Sequence, residues 1–337
     1  MNLSLLWENC IAAFLKDVLV SHSGSEATVS SYASTLRCFL RHLGNKAPEL
    51  ATREDVIAYM ASPNQSRRNH GQPPSPGTRN MRKVIVHQFY VFAARYTCYD
   101  GYGRPYKLYQ GDNPAAGIRG VQLEYRPYYL SEEELVRFFR AIDRETVIGL
   151  RDYAYFLALF LTARRRAEIA NLLYGDITWG VISGAQGSRY GWLYAFAGKG
   201  RGGQRDSAEL HPAAKAAIDL YLEASGRVAT IAADDPVFVA VEHPGMPVDP
   251  YKRLSNTAIH QAVKKYAELA GLDPQKVHVH IFRHSSAKHR LDAGESIFSL
   301  KETLRHKSLD LTYAYARSME TLADNGAVLL MSKFGGL

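Results

Sequence analysis

The chain has 337 residues, 46% of them hydrophobic and 22% charged, with 41 Lys and Arg against 33 Asp and Glu for a formal net charge of +8. That length favours two domains, each able to bury a core, and the composition excludes disordered, collagen-like and coiled-coil chains. The positive excess is uneven: residues 1–126 carry 15 basic against 9 acidic side chains, so the N-terminal third is the expected footprint for a polyanion.

The first elements read as helices. Apolar residues recur at Leu6, Cys10, Ala13, Phe14 and Val18, which is helical spacing. A second helix fits Ser30 to Leu43, closed by Gly44, and a third fits Thr52 to Ala61, ending before Pro63. Pro63 to Gly77 reads as a polar loop holding Arg67 and Arg68. Thr78 to Tyr96 is helical again, basic on one side through Arg79, Arg82 and Lys83 and apolar on the other through Ile85, Phe89 and Phe92. Residues 1–118 are thus expected to form an all-helical domain. Pro114, Gly117, Gly120 and Pro127 then mark an interdomain linker over residues 119–129.

The second domain is expected over residues 130–337, with a tail from about 317. Ser131 and Glu134 form a capping-box sequence ahead of Leu135, Phe138, Phe139 and Ile142, so a helix starts there. Another helix is expected from Leu150 to about Leu173. Strands fit Asp176 to Ile182, Trp192 to Ala197 and Asp206 to Leu210, the last two joined by the turn GKGRGGQR. Helices return at Pro212 to Ala224, Leu254 to Ala270 and Arg283 to Ala293. The expected fold is mainly α with a small antiparallel β-sheet, the second domain being α+β.

Targeting and redox signals are weak. The longest nearly unbroken apolar run, Tyr153 to Ala163, falls far short of the ~20 residues a bilayer requires. Glu8, Lys16 and Asp17 interrupt the N-terminal apolar pattern, so no secretory leader is read and a cytoplasmic location is expected. Cys10, Cys38 and Cys98 lack CxxC spacing and read as small core residues.

Four polar clusters stand out in the second domain. In LTARRRAE, Arg165 and Glu168 share a helical face and could hold a guanidinium at a buried position; a solvated basic face is the alternative. Lys199 lies between glycines in a turn that also carries Arg201 and Arg205, where an ammonium can approach an anion or simply sit in a charged turn. His280 and Arg283 share a face at a helix start, a plausible phosphate clamp. His306 is followed nine residues on by Tyr315, so the two converge only if the chain breaks between them, as Lys307-Ser308 would allow. The histidines lack HExxH or acidic partners at ligand spacing, and GKGRGG matches no nucleotide loop, so neither metal nor cofactor is expected.

In order and spacing, Arg165, Lys199, His280-x-x-Arg283, His306 and Tyr315 resemble the active site of the tyrosine recombinase, or phage integrase, family. TARRRAE is similar to the family's Thr-Gly-x-Arg-x-x-Glu, HIFRH to His-x-x-Arg-His, and LRHKSLDLTYAY to Leu-Gly-His followed nine residues on by Tyr. Ala163 and Arg305 stand where the family has glycine; the first reads as a minor change within a helix. Thr162 and Glu168 select Arg165 over Arg164 and Arg166, and the nine-residue interval selects Tyr315 over Tyr313.

The resemblance implies a core-binding domain, a linker and a catalytic domain that close around double-stranded DNA bearing a specific recombination site. Tyr315 would attack a phosphodiester, Arg165, Arg283 and His306 would stabilise the charge on phosphorus, Lys199 would protonate the departing 5′ oxygen, and His280 would take the proton of Tyr315. Glu168 would support Arg165. Candidate DNA contacts are Arg67, Arg68, Arg79, Arg82, Lys83, Arg201 and Arg205. The resemblance further implies a homotetramer on synapsed DNA, with the apolar tail docking on a neighbour or on its own domain. A type IB topoisomerase and a non-catalytic DNA-binding regulator are the alternative readings.

Overall fold

The computed structural model describes residues 3–21, 26–65, 70–122, 128–184, 187–197, 205–241, 249–306, 308–309 and 312–313. The chain divides into two compact units, Met1–Glu124 and Tyr125–Leu337.

The first unit is built from helices α1 (Leu3–Ser21), α2 (Glu26–Leu43), α3 (Arg53–Ala61) and α4 (Pro76–Ala93). Local chemistry starts two of them. Thr52 accepts from the Asp55 amide while the Asp55 carboxylate accepts from the Thr52 amide, closing a capping box on α3. Ser75 caps α4, with Pro76 in the first turn where its missing N–H costs nothing. Trp7, Phe14, Phe39, Tyr59, Phe89 and Tyr90 fill the core, with Phe14 and Phe89 edge to face at 5.6 Å. Cys10 and Cys98 are buried and Cys38 is half-buried; burial pushes the Cys10 thiol up to about 12.

Two expectations for this unit need correction. It is not all-helical: β1 (Thr97–Tyr99) and β2 (Pro105–Lys107) form an antiparallel hairpin. The Asp100 carboxylate accepts from the amides of Tyr102 and Arg104 and shapes its turn. Nor is Arg82 available to a phosphate. Its guanidinium is buried, 6% exposed, and donates to the carbonyls of Tyr59 (2.9 Å) and Ser62 (2.6 Å) and to Asn64 Oδ1 (3.3 Å). It therefore staples the end of α3 to the following loop. Lys83 is half-buried and donates to the Ile118 carbonyl at 3.1 Å. Asn80 exchanges two hydrogen bonds with the main chain of Val121, so the first unit runs past residue 118.

The second unit begins with α5 (Glu132–Arg140), whose capping box on Ser131 and Glu134 forms as the sequence indicates. It continues through α6 (Val147–Thr162), α7 (Arg166–Ala170), the antiparallel sheet β3 (Ile177–Gly184), β4 (Gly187–Ala197), β5 (Arg205–Glu209), then α8 (Pro212–Ala224), α9 (Asn256–Leu269), α10 (Ile281–Asp292) and α11 (Ile297–Leu304). The sheet order is β3-β4-β5, with Trp179 opposite Trp192 and Phe196 opposite Asp206. Helix α6 packs on α8 and α10. Phe138, Phe156 and Phe282 are fully buried together, Phe282 stacking on Phe156 at 5.0 Å and meeting Phe138 edge-on at 4.9 Å. Each such ring contributes about 1.5–3 kcal/mol by leaving water, which anchors the first turn of α10.

The helix expected from Leu150 to Leu173 is broken. Ala163 takes a left-handed conformation (φ 53), and a new helix starts after Arg165. Neither glycine nor proline causes the break. The last carbonyls of α6 find tertiary donors instead: Arg290 Nη2 donates to Leu161 at 2.7 Å and Arg283 Nη1 to Ala163 at 2.7 Å. Helix α11 ends the same way, at Arg305 (φ 54) rather than at Lys307-Ser308. The amides of Arg305 and His306 bond back to Glu302 and Lys301, both at 3.1 Å, a Schellman closure. At the end of α10 the left-handed residue is Gly294 (φ 89), free of that steric cost. Ala163 and Arg305 thus occupy the two positions where the resembled family carries glycine, and at both the backbone explains glycine's use.

Candidate active site

The site grows from three helix ends. Arg283 lies in the first turn of α10, next to buried Ile281 and Phe282. Its Nη1 donates to the Ala163 carbonyl at the end of α6 and its Nη2 to the Leu304 carbonyl at the end of α11, at 2.7 and 2.5 Å. One planar fork thus ties two helix C-termini together, and their partial negative charge favours the buried cation. Ala163, Ala287, Leu300 and Leu304 form a small apolar cluster beneath it.

The three consecutive arginines after Ala163 are sorted by packing. Arg164 is buried, its Nε donating to the Tyr194 hydroxyl at 2.7 Å and its guanidinium stacked 4.4 Å from the Phe196 ring centre. Arg165 caps α7. Glu168 accepts from the Arg165 amide at 2.9 Å and from its Nη1 at 3.2 Å. The expected burial is reversed within this pair: the Glu168 side chain is 6% exposed and that of Arg165 is 39% exposed. A buried carboxylate holds a guanidinium that faces outward, because Arg165 stands at a helix start and not inside a continuous helix.

The imidazoles report the gathered charge. His306 follows the end of α11, and its Nδ1 lies 2.9 Å from the hydroxyl of fully buried Thr312. Burial, then the positive charges of Arg283 and Arg165, push its pKa down to about 4. His280 precedes α10 and titrates below the ordinary imidazole range, through desolvation of part of its ring and then the charges of His278, Arg166, Arg283 and Arg165. His284 is pushed down to about 4 by burial, then by His278, His280, Arg283 and His306. Arg165 and Arg283 thus act on both His280 and His306. At neutral pH the imidazoles are uncharged, so His280 can accept a proton and His306 can donate a hydrogen bond.

Arg165, Glu168, His280, Arg283 and His306 are thus brought together, whereas Lys199, Arg201 and Tyr315 lie outside the described residues, as do Arg67 and Arg68. Tyr313 is described and is 45% exposed. Arg205 is ion-paired with Asp176, and Arg79 is half-buried on α4. Thr312 escaped the sequence reading, although its place three residues before Tyr315 was a usable signal. Asp206, which pairs with Arg305, offered none. Among the described residues no group of three or more His, Cys, Asp or Glu side chains could hold a metal ion, and no helix is long and apolar enough to cross a membrane.

Comparison with known proteins gives a consistent neighbourhood. The family model described as Phage integrase family matches residues 128–321. The chain is 25% identical over 313 residues to the tyrosine recombinase XerC of Bacillus licheniformis, covering 91% of each chain. Among solved structures, its fold is similar to that of the XerH site-specific recombinase bound to palindromic difH substrate in a post-cleavage complex. There the TM-score is 0.64 at 15% identity, over 94% of this chain and 84% of that one. It also resembles a lambda integrase tetramer bound to a Holliday junction, with a TM-score of 0.61 at 15% identity, over 94% and 79% of the two chains.

Proposed function

The chain belongs to the phage integrase family, and from that premise we propose that it is a site-specific DNA recombinase that cleaves and rejoins strands through a 3′-phosphotyrosyl bond on Tyr315. The observation that most supports this is the Arg283 fork, which holds the ends of α6 and α11 together beside Arg165, His280 and His306. Relatives named as tyrosine recombinases favour this reading over a topoisomerase or a silent regulator.

In this reading the Tyr315 oxygen attacks the scissile phosphorus and its proton passes to neutral His280. Arg165 and Arg283 offer planar donors to the non-bridging oxygens as negative charge builds. His306 Nδ1 shares a hydrogen bond with the Thr312 hydroxyl, and in the tautomer with its proton on Nε2 His306 donates to the same phosphate. Lys199 protonates the departing 5′ oxygen; each proton transfer is typically worth ~10²–10⁴ in rate. The phosphotyrosyl bond conserves the phosphodiester energy, so a second 5′ hydroxyl reverses the attack and rejoins the strands without nucleotide or metal. The first unit serves as the core-binding domain on double-stranded DNA, four copies act together on the synapsed sites, and the work is done in the cytoplasm.

The test uses duplexes enriched for binding from a randomised pool, remade with nicks that let the cleaved end diffuse away. The full chain is expected to form a covalent adduct that peptide mapping assigns to Tyr315, and Tyr315→Phe is expected to form none. No adduct on any enriched duplex, or one that survives Tyr315→Phe, overturns the assignment.

A further inference from the structure

The residue in the left-handed position after α11 does more than close a helix. Arg305 reaches β5, where it is ion-paired with Asp206, and its guanidinium stacks 4.6 Å from the ring centre of Phe196 on β4. Asp206 and Phe196 are directly opposite in the β4–β5 register, so their side chains share one face of the sheet. The ring that Arg305 covers is also covered by Arg164, which in turn bonds Tyr194, two residues earlier on the same strand. The same rung of the sheet is therefore held by the residue before Arg165 and by the residue before His306. In sequence, Phe196 and Asp206 bracket the segment that contains Lys199.

We propose that Arg305 is a positioning residue for strand cleavage: its pairing with Asp206 and its stacking on Phe196 fix His306 against the strands that lead to Lys199. This rests on the recombinase reading above. The geometry opposes a direct role for Arg305 on a phosphate backbone, since its side chain is only 20% exposed and already carries an anionic partner. It also accounts for an arginine in a backbone position that suits glycine: the side chain supplies a tether that glycine lacks. A misplacement of about 1 Å at a reacting centre is enough to cost ~10²-fold in rate.

The experiment measures the first-order rate of adduct formation on the nicked, enriched duplex at saturating protein, for the wild type, Arg305→Gly, Asp206→Asn and the double variant. Glycine suits φ 54, so Arg305→Gly is expected to unfold at the wild-type temperature or above, while Asp206→Asn breaks the same pair without touching that backbone. Both singles are expected to lose about 10- to 100-fold in rate at unchanged DNA affinity and salt dependence, and the double no more than either single. Wild-type rates in both folded singles, losses that multiply in the double, or a loss of affinity that parallels the loss of rate would each overturn the positioning role. A wild type that forms no Tyr315 adduct would instead sink the recombinase reading itself.

Discussion

The two units use buried arginines in opposite ways. In the first, the donors of Arg82 are distributed over the carbonyls that end α3 and the loop beyond it. In the second, Arg283 also donates to helix-end carbonyls, but beside Arg165 and three imidazoles whose pKa values are held down by burial and then by neighbouring positive charge. Folding alone does not favour like charges held together; a bound anion does. The more basic N-terminal third is therefore not where the cations converge. Net charge describes solubility and long-range attraction, whereas the direction of the donors describes chemistry.

The sharpest test of this contrast exchanges one arginine in each unit for alanine. Arg165→Ala should reduce adduct formation by ~10²–10³-fold, as loss of one donor to a developing oxyanion does, and should lower folding stability by no more than about 1–2 kcal/mol. Arg82→Ala should do the reverse: about 2–4 kcal/mol lost in denaturant unfolding, from several acceptors left without a donor, with the folded protein cleaving at the wild-type rate. Equal behaviour of the two variants in both measurements would remove the distinction.

A smaller effect is expected at the end of α6. Ala163 has φ 53, a conformation that costs an L-residue roughly 1–2 kcal/mol. Ala163→Gly should relieve part of this and raise stability by up to about 1 kcal/mol, offset in part by the greater freedom of glycine in the unfolded chain. Unchanged cleavage would show that α6 ends where its tertiary donors place it, whichever residue occupies the turn.

A separate effect is in pH. His280, His284 and His306 bind protons less readily in the folded protein than in the unfolded chain, the last two titrating near about 4. Their contribution is fully present above the unfolded value of about 6.5 and is withdrawn as pH falls from there towards 4, because the unfolded chain then binds more protons. Denaturant midpoints at pH 7.5 and pH 5 should show this loss, and His306→Ala should shrink it. Inorganic sulfate should restore part of it at pH 5 by pairing with the charged imidazoles. A midpoint independent of pH would mean that neither burial nor the arginines hold the imidazoles neutral in the folded protein.

Local signals in the chain were readable wherever neighbouring residues decide the outcome. The Ser131–Glu134 capping box starts α5, His211-Pro212 opens α8 and Thr52 caps α3, all within one turn of the residues that signal them. The β1–β2 hairpin was missed although Asp100-Gly101 is a turn sequence, because its strands are only three residues each. At the break at Ala163 the carbonyls that end α6 take donors 120 and 129 residues away, in Arg283 and Arg290.

The order and spacing of Arg165, His280, Arg283, His306 and Tyr315, and the family these imply, belong to the amino-acid sequence alone, because side-chain chemistry and helical period are properties of the chain. Which arginine is buried, which partner it takes and where α6 and α11 stop were decided only in three dimensions. A helix-end carbonyl or a guanidinium takes whichever partner the folded chain brings within about 3 Å, and for Arg82, Arg164, Arg283 and Arg305 those partners lie many residues away.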